Sequence, residues 1–373
     1  MANEPQPCEP KFRTRVDKCS KSIEERLRSP VSAGCRAVET AKSAMRHGLI
    51  FFCALAIAAM FTPKAGGIAA RFTPKAPALP SAPCGNLSGP PAQYEHVVWI
   101  WLENRSYADV IGNAGGPYFN LLAQKCGLAR KFYNETHRSW RNYMVATSGA
   151  WYTDGLTRKR SLFEQVQDAG KSWKVYAQTM PSNCYLSDWY GLYERDHNAP
   201  TYYTALRDTT CPLYDLPMGT TTRGALTGDI QANTLPNYSQ ILPDNCSNMH
   251  HDCNGGDNTA AVADGDAFLQ TWIPAIASTP DYQSGTTIIF VTFDEGRPYL
   301  NSGENCLAVL DESCHIPTLV ISPYSSGQNS DHFFSHYALL NTSESLLGLP
   351  CLRLACSTDP FYGADSMRIY FGI

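Results

Sequence analysis

The chain has 373 residues, 17% of them charged, and a formal net charge of -4. A chain of that length builds a sizeable core, and so low a charge content excludes disorder throughout. No long basic stripe runs through its body, which excludes nucleic acid as an expected partner.

Residues 1–44 read as a leader or a basic cytoplasmic tail. The strongly apolar segment Gly48 to Phe61, GLIFFCALAIAAMF, follows Arg46 and His47 and leads into small residues up to Ala70. It is short for a membrane span but suits the core of a signal peptide, so residues 45–70 are expected to be a signal cleaved near Ala70, or else an uncleaved signal anchor. Met45 stands directly before it, and a start there would leave residues 1–44 untranslated. The product is accordingly expected to be secreted or held at the cell surface.

The cysteines agree. Of the 14 in the chain, ten lie beyond the signal region, an even number that fits a disulfide framework in an oxidising compartment. Spacing does not fix connectivity; short local bridges Cys306 with Cys314 and Cys351 with Cys356, and a longer Cys184 with Cys211, are guesses. No CxxC pair with zinc-site spacing appears.

Residues 71–93, rich in Pro, Ala and Ser, read as a linker, with the folded domain, 94–373, beginning near Tyr94. Val97 to Leu102, VVWIWL, is an apolar run without alternation, as expected of a strand covered on both faces, and it stops at Glu103 and Asn104. Pro117 to Lys125 reads as a helix with proline in its first turn, and Leu128 to Tyr133 as the next strand, together a βαβ unit. In Glu135 to Gly149, ETHRSWRNYMVATSG, a helix over Asn142 to Ala146 would put Ser139 at or just before its N-terminus. Free N–H groups and the helix dipole favour an anion there. His137 precedes it by two residues; the bland reading makes Ser139 an ordinary N-cap.

Ser161 to Ala169 reads as a helix and Trp173 to Gln178 as a strand. Residues 181–243 show no sustained period and are expected to form a cap-like insertion that shapes a pocket. Asn245 to Asp257 gathers His250, His251 and several acid or amide groups in a turn-rich loop, and a helix over Ala260 to Ile276 follows. Then Thr286 to Phe293, TTIIFVTF, repeats the first pattern and stops at Asp294 and Glu295. If the two apolar strands are neighbours, three carboxylates and an amide oxygen converge at the carboxyl edge of a sheet, an oxygen-rich set suited to a hard divalent cation. His315 opens the strand IPTLVIS, and Ser335 to Pro350 is an amphipathic helix.

Seven pieces in this order, ENRSY, ETHRSWRNY, NMH, GDAFL, FDEG, HIPTLVISPY and SHYALLNTSESLLGLP, resemble the bacterial phosphoesterase family of secreted acid phosphatases and phospholipases C. The resemblance is strongest to its short mycobacterial branch, which acts on phosphatidylinositol 3-phosphate. It spans Tyr94 to Pro350 and implies an alkaline-phosphatase-like α/β/α sandwich with a mostly parallel central sheet and a loop-rich cap. Carried over by position, it makes Ser139 the nucleophile, Glu103, Asn104, Asp294 and Glu295 the ligands of a divalent metal ion, and His137 and His250 the contacts to phosphate or leaving group. The chain departs from the pattern at Arg138 and Arg141, where the family usually has proline beside the nucleophile, and at Asn248, where it has an acid. The second departure bears on His250, for which His251 is the substitute. The implied activity is a metal-dependent phosphomonoesterase working through a phosphoserine on a phosphorylated small molecule or phospholipid headgroup. Membrane contact would come through that substrate or an uncleaved anchor. The alternatives are a phospholipase C-type phosphodiesterase and a non-catalytic surface-binding relative.

Overall fold

The two apolar runs that end in acids lie side by side. In the computed structural model, which describes residues 78–151, 155–297 and 305–373, strand β1 (His96–Leu102) pairs in parallel with β8 (Thr287–Phe293), Leu102 opposite Phe293. Glu103 and Asp294 therefore leave the sheet next to each other. The expected leader and signal, residues 1–70, and the start of the linker lie outside the described residues.

The remaining strands are β2 (Gly127–Tyr133), β3 (Trp173–Ala177), a small hairpin of β4 (Trp189–Tyr190) and β5 (Tyr193–Glu194), β6 (Asp215–Pro217), β7 (Tyr238–Leu242), β9 (His315–Ile321) and β10 (Gln328–Ser335). All but the hairpin form one eight-stranded sheet, in the order β10-β2-β9-β8-β1-β7-β3-β6. Every pairing is parallel except those of β9, which runs against both β2 and β8. The expected architecture, α/β with a mostly parallel central sheet, is the one observed.

Side-chain alternation along β1 sets the two layers of helices. Trp99 donates its indole N–H to Ser343 at 3.0 Å, and the Trp101 ring packs on Tyr143 with centroids 4.5 Å apart. These partners belong to helices His336–Leu346 and Ser139–Ser148, which cover one face. On the opposite parity, Phe293, level with Leu102, meets Phe119 of helix Pro117–Lys125. That helix has its N-terminus capped by Asp266 of helix Asn258–Ala277, whose carboxylate accepts the N–H groups of Tyr118 and Phe119.

Two expectations need correction. The run β1, helix, β2 is not a unit of adjacent strands, because β8 and β9 are inserted between β1 and β2. Nor is 181–243 wholly irregular: it supplies β6, helix Ala225–Ala232 and β7, the last lying between β1 and β3. The described part of the linker is held against the domain, with Cys84 bonded to Cys126 and the Leu87 N–H donating to Pro323. The three guessed disulfides are formed, together with Cys246–Cys253.

Candidate active site

At the carboxyl edge of the sheet the chain turns sharply after each acid. Asn104 adopts a left-handed conformation (φ 50°), which asparagine tolerates better than most residues. Its N–H donates to Asp294 Oδ1 at 3.3 Å, tying one pair to the other. After Glu295 only glycine fits, because a Cβ on Gly296 would lie 2.1 Å from the carbonyl oxygen of Ser313.

Ser139 is the first residue of its helix, with Arg138 rather than Ser139 as the N-cap. Its hydroxyl is therefore not spent on capping, and it donates to Glu103 Oε2 at 3.4 Å. Glu103 is fully buried. Its other oxygen accepts the Tyr143 hydroxyl and stands 3.4 Å from His197 Nε2.

Burial, and then the neighbouring charge of Asp294, pushes the Glu103 carboxyl well above the usual range. The same two causes raise Glu295. Burial raises Asp294 too, against the pull of Glu103, Ser139 and the N–H groups of Glu295 and Asn104. Among the described residues, the buried Asn104 Oδ1, Asp294 Oδ2 and Glu295 Oε2 have no hydrogen-bond partner. Three orphaned oxygens among crowded acids are what a hard divalent cation would satisfy, so Asn104, Asp294 and Glu295 fit one, while both oxygens of Glu103 already have partners in Ser139 and Tyr143.

The remaining expected residues stand around a cavity of about 450 Å³, lined by Asn104, His137, Ser139, His250 and Glu295 with Arg105, Arg138, Arg297 and Asp252, the last paired with Arg105 at 3.1 Å. His137 Nε2 is 3.0 Å from the Ser313 hydroxyl, while Nδ1 lies 4.0 Å from Glu295 Oε2. Burial lowers its imidazole. Burial, with His251 beside it, lowers His250 to about 4. Arg141, turned against the Trp140 ring, and exposed His251 do not line the cavity.

The sequence reading missed His197. It sits in a 3₁₀ turn within the presumed cap, buried, with its charged form disfavoured by burial and by His250. A nitrogen of His197, one of His250 and an oxygen of Glu103 all lie within 4.8 Å of one another. Neighbouring Glu194 is raised to about 7 by burial. A lone histidine in RDHNAP, outside any apolar period, gave no signal.

Residues 114–350 match the Phosphoesterase family. The phosphatidylinositol-3-phosphatase of Mycobacterium tuberculosis is 27% identical over 277 residues, covering 72% of this chain and 81% of that protein. An acid phosphatase of Aspergillus fumigatus is 24% identical over 299 residues; the alignment covers 75% of this chain but only 60% of the fungal protein. Among solved structures, the lipoteichoic acid synthase LtaP from Listeria monocytogenes superposes with a TM-score of 0.51 at 12% identity, covering 73% of this chain and 77% of that one, a likeness of fold alone.

Proposed function

Because the chain belongs to the Phosphoesterase family, and so is a hydrolase acting on phosphoric ester bonds, we propose that it is a cation-dependent phosphomonoesterase with Ser139 as nucleophile. One observation carries the reading: the Ser139 hydroxyl, at a helix N-terminus, points at a buried acid cluster with three unpartnered oxygens. Glu103, Asn104, Asp294 and Glu295 would hold the cation, which when bound lowers the pKa of a nearby hydroxyl and neutralises a phosphate oxygen.

The chain's own residues do the rest. Ser139 Oγ, oriented by its bond to Glu103 Oε2, gives up its proton to solvent and attacks phosphorus in line with the departing alkoxide. The N–H groups of Ser139 and Trp140, at the positive end of the helix, receive the equatorial oxygens. His137 protonates the leaving oxygen and His250 binds a phosphate oxygen. His137, now the base, takes a proton from the water that cleaves the phosphoserine and so is restored, and Ser139 Oγ recovers a proton from solvent as phosphate leaves.

The name of the mycobacterial relative suggests a phosphoinositide substrate. Arg138 and Arg297 on the cavity wall support a headgroup carrying a second anionic group, while Arg105 is engaged by Asp252. The five disulfides suit an oxidising compartment, so the proposal includes export through residues 48–61.

The test is turnover of inositol 3-phosphate against a phosphocholine diester, followed by acid quench and peptide mapping. Monoester turnover with phosphate trapped on Ser139 is expected. Diester turnover alone, or phosphate on another residue, would refute the proposal.

A further inference from the structure

Two consecutive residues of the nucleophile loop brace the Asp294–Glu295 pair from either side. Asn134 Oδ1 accepts the N–H of Gly296, just after the pair, at 3.2 Å, and Asn134 Nδ2 donates to Thr136 O at 2.7 Å. Glu135 reaches the other side through His336. Its Oε1 accepts the His336 backbone N–H at 3.0 Å, and its Oε2 lies 2.6 Å from His336 Nδ1. The far nitrogen of that ring, Nε2, lies 2.8 Å from the carbonyl oxygen of Phe293, just before the pair.

Asn134, Glu135 and His336 have no exposed surface. The imidazole is further confined by Trp101 and Phe132, with ring centroids 5.4 and 5.5 Å away. Both its hydrogen-bond partners are acceptors, a carboxylate and a peptide carbonyl. A neutral ring carries one N–H and would turn a lone pair on one of them, so both bonds form only if both nitrogens carry hydrogen. Asn142 locks the other end of the arrangement: its Oδ1 accepts the N–H groups of Glu135 and Thr136 at 3.2 and 3.1 Å, and its Nδ2 donates to Thr136 O at 2.7 Å. The loop is thereby fixed to the helix that Ser139 opens.

A fully buried ion pair is a weak device for stability, since well-packed apolar residues of similar volume do as well. Its value here is geometric. It sets the plane of the Phe293–Asp294 peptide, and so the direction of the Asp294 carboxylate, from a residue four positions before the nucleophile.

We propose that Glu135 and His336 are positioning residues that hold the cation ligands in register with Ser139. The inference rests on the cation-site reading above and adds to it a support outside the ligand set. The experiment is calorimetric titration of the full chain with Mn²⁺, with kcat and KM for a phosphomonoester, on wild type, His336→Gln, Glu135→Gln and the ligand variant Glu295→Gln.

Loss of an outer support typically weakens metal binding about 10- to 100-fold, and that is the expected fall for His336→Gln and Glu135→Gln, with kcat lowered and partly restored by excess Mn²⁺. Affinities within about twofold of wild type in both would overturn the positioning role while leaving the cation site standing. If wild type binds no Mn²⁺, or Glu295→Gln binds it as tightly as wild type does, the cation-site reading falls and the brace with it. Should either brace variant fail to fold, imidazole ¹⁵N spectra of the wild type decide: His336 is expected to carry both N–H groups at neutral pH, and a neutral tautomer would overturn the proposal.

Discussion

The Ser139 hydroxyl donates to Glu103 Oε2 across 3.4 Å, while the opposite oxygen of that carboxylate is taken by Tyr143. Serine and acid come from segments that meet only in the folded chain, one at a helix start and one at a strand end. Since Arg138 and not Ser139 occupies the N-cap, Ser139→Ala removes no cap. We expect turnover of p-nitrophenyl phosphate to fall by at least about 1000-fold with the melting temperature essentially unchanged.

If the proposed cation is bound, removing it should leave the acid cluster without a counter-charge. Glu103 and Glu295 are raised well above the usual range, so the folded chain holds their protons more tightly than the unfolded chain does. Their contribution is greatest below the unfolded carboxyl pKa, roughly 4.3, and is lost as pH rises through the folded values. Chelator-treated protein is expected to melt lower at pH 7.5 than at pH 5, and a divalent cation to raise the melting temperature more at pH 7.5. Differential scanning fluorimetry across that range checks both.

A second buried acid makes a separate pH prediction. Asp215 is fully buried and raised to about 8 by burial, which the hydrogen bond from Asn198 offsets only in part. Stability should therefore fall as pH rises from about 4 toward that value, by at most about 1.4 kcal/mol per pH unit. Asp215→Asn should flatten this slope, stabilising the chain near pH 7.5 and little at pH 4.5, as read by urea unfolding.

The Cys184–Cys211 bridge closes a stretch of 27 residues that contains Glu194 and His197. Replacing both cysteines with serine is expected to cost about 3 kcal/mol of unfolding free energy. Denaturant titration under non-reducing conditions measures it.

What the sequence disclosed, and what it hid, follows from how each residue buries its polar groups. β1 and β8 were legible because unbroken β-branched and aromatic runs end in acids, and the same abruptness marked the residues proposed to hold a cation. β7, Tyr-Ser-Gln-Ile-Leu, was hidden because Ser239 and Gln240 are buried in mid-sheet, with Gln240 donating to Tyr238 at 2.6 Å; no periodicity reveals such a strand. β10 escaped because its polar and half-exposed residues suit a sheet edge. His197 and the Glu135–His336 pair were unreadable because their partners lie tens to hundreds of residues away, and only the closed sheet brings them together.

The most direct test is a crystal structure of the protein soaked with phosphate and a divalent cation. The account predicts one ion bound by oxygens of Glu103, Asn104, Asp294 and Glu295, with phosphate against both the ion and Ser139 Oγ. An ion held elsewhere, or phosphate bound away from Ser139, would contradict it.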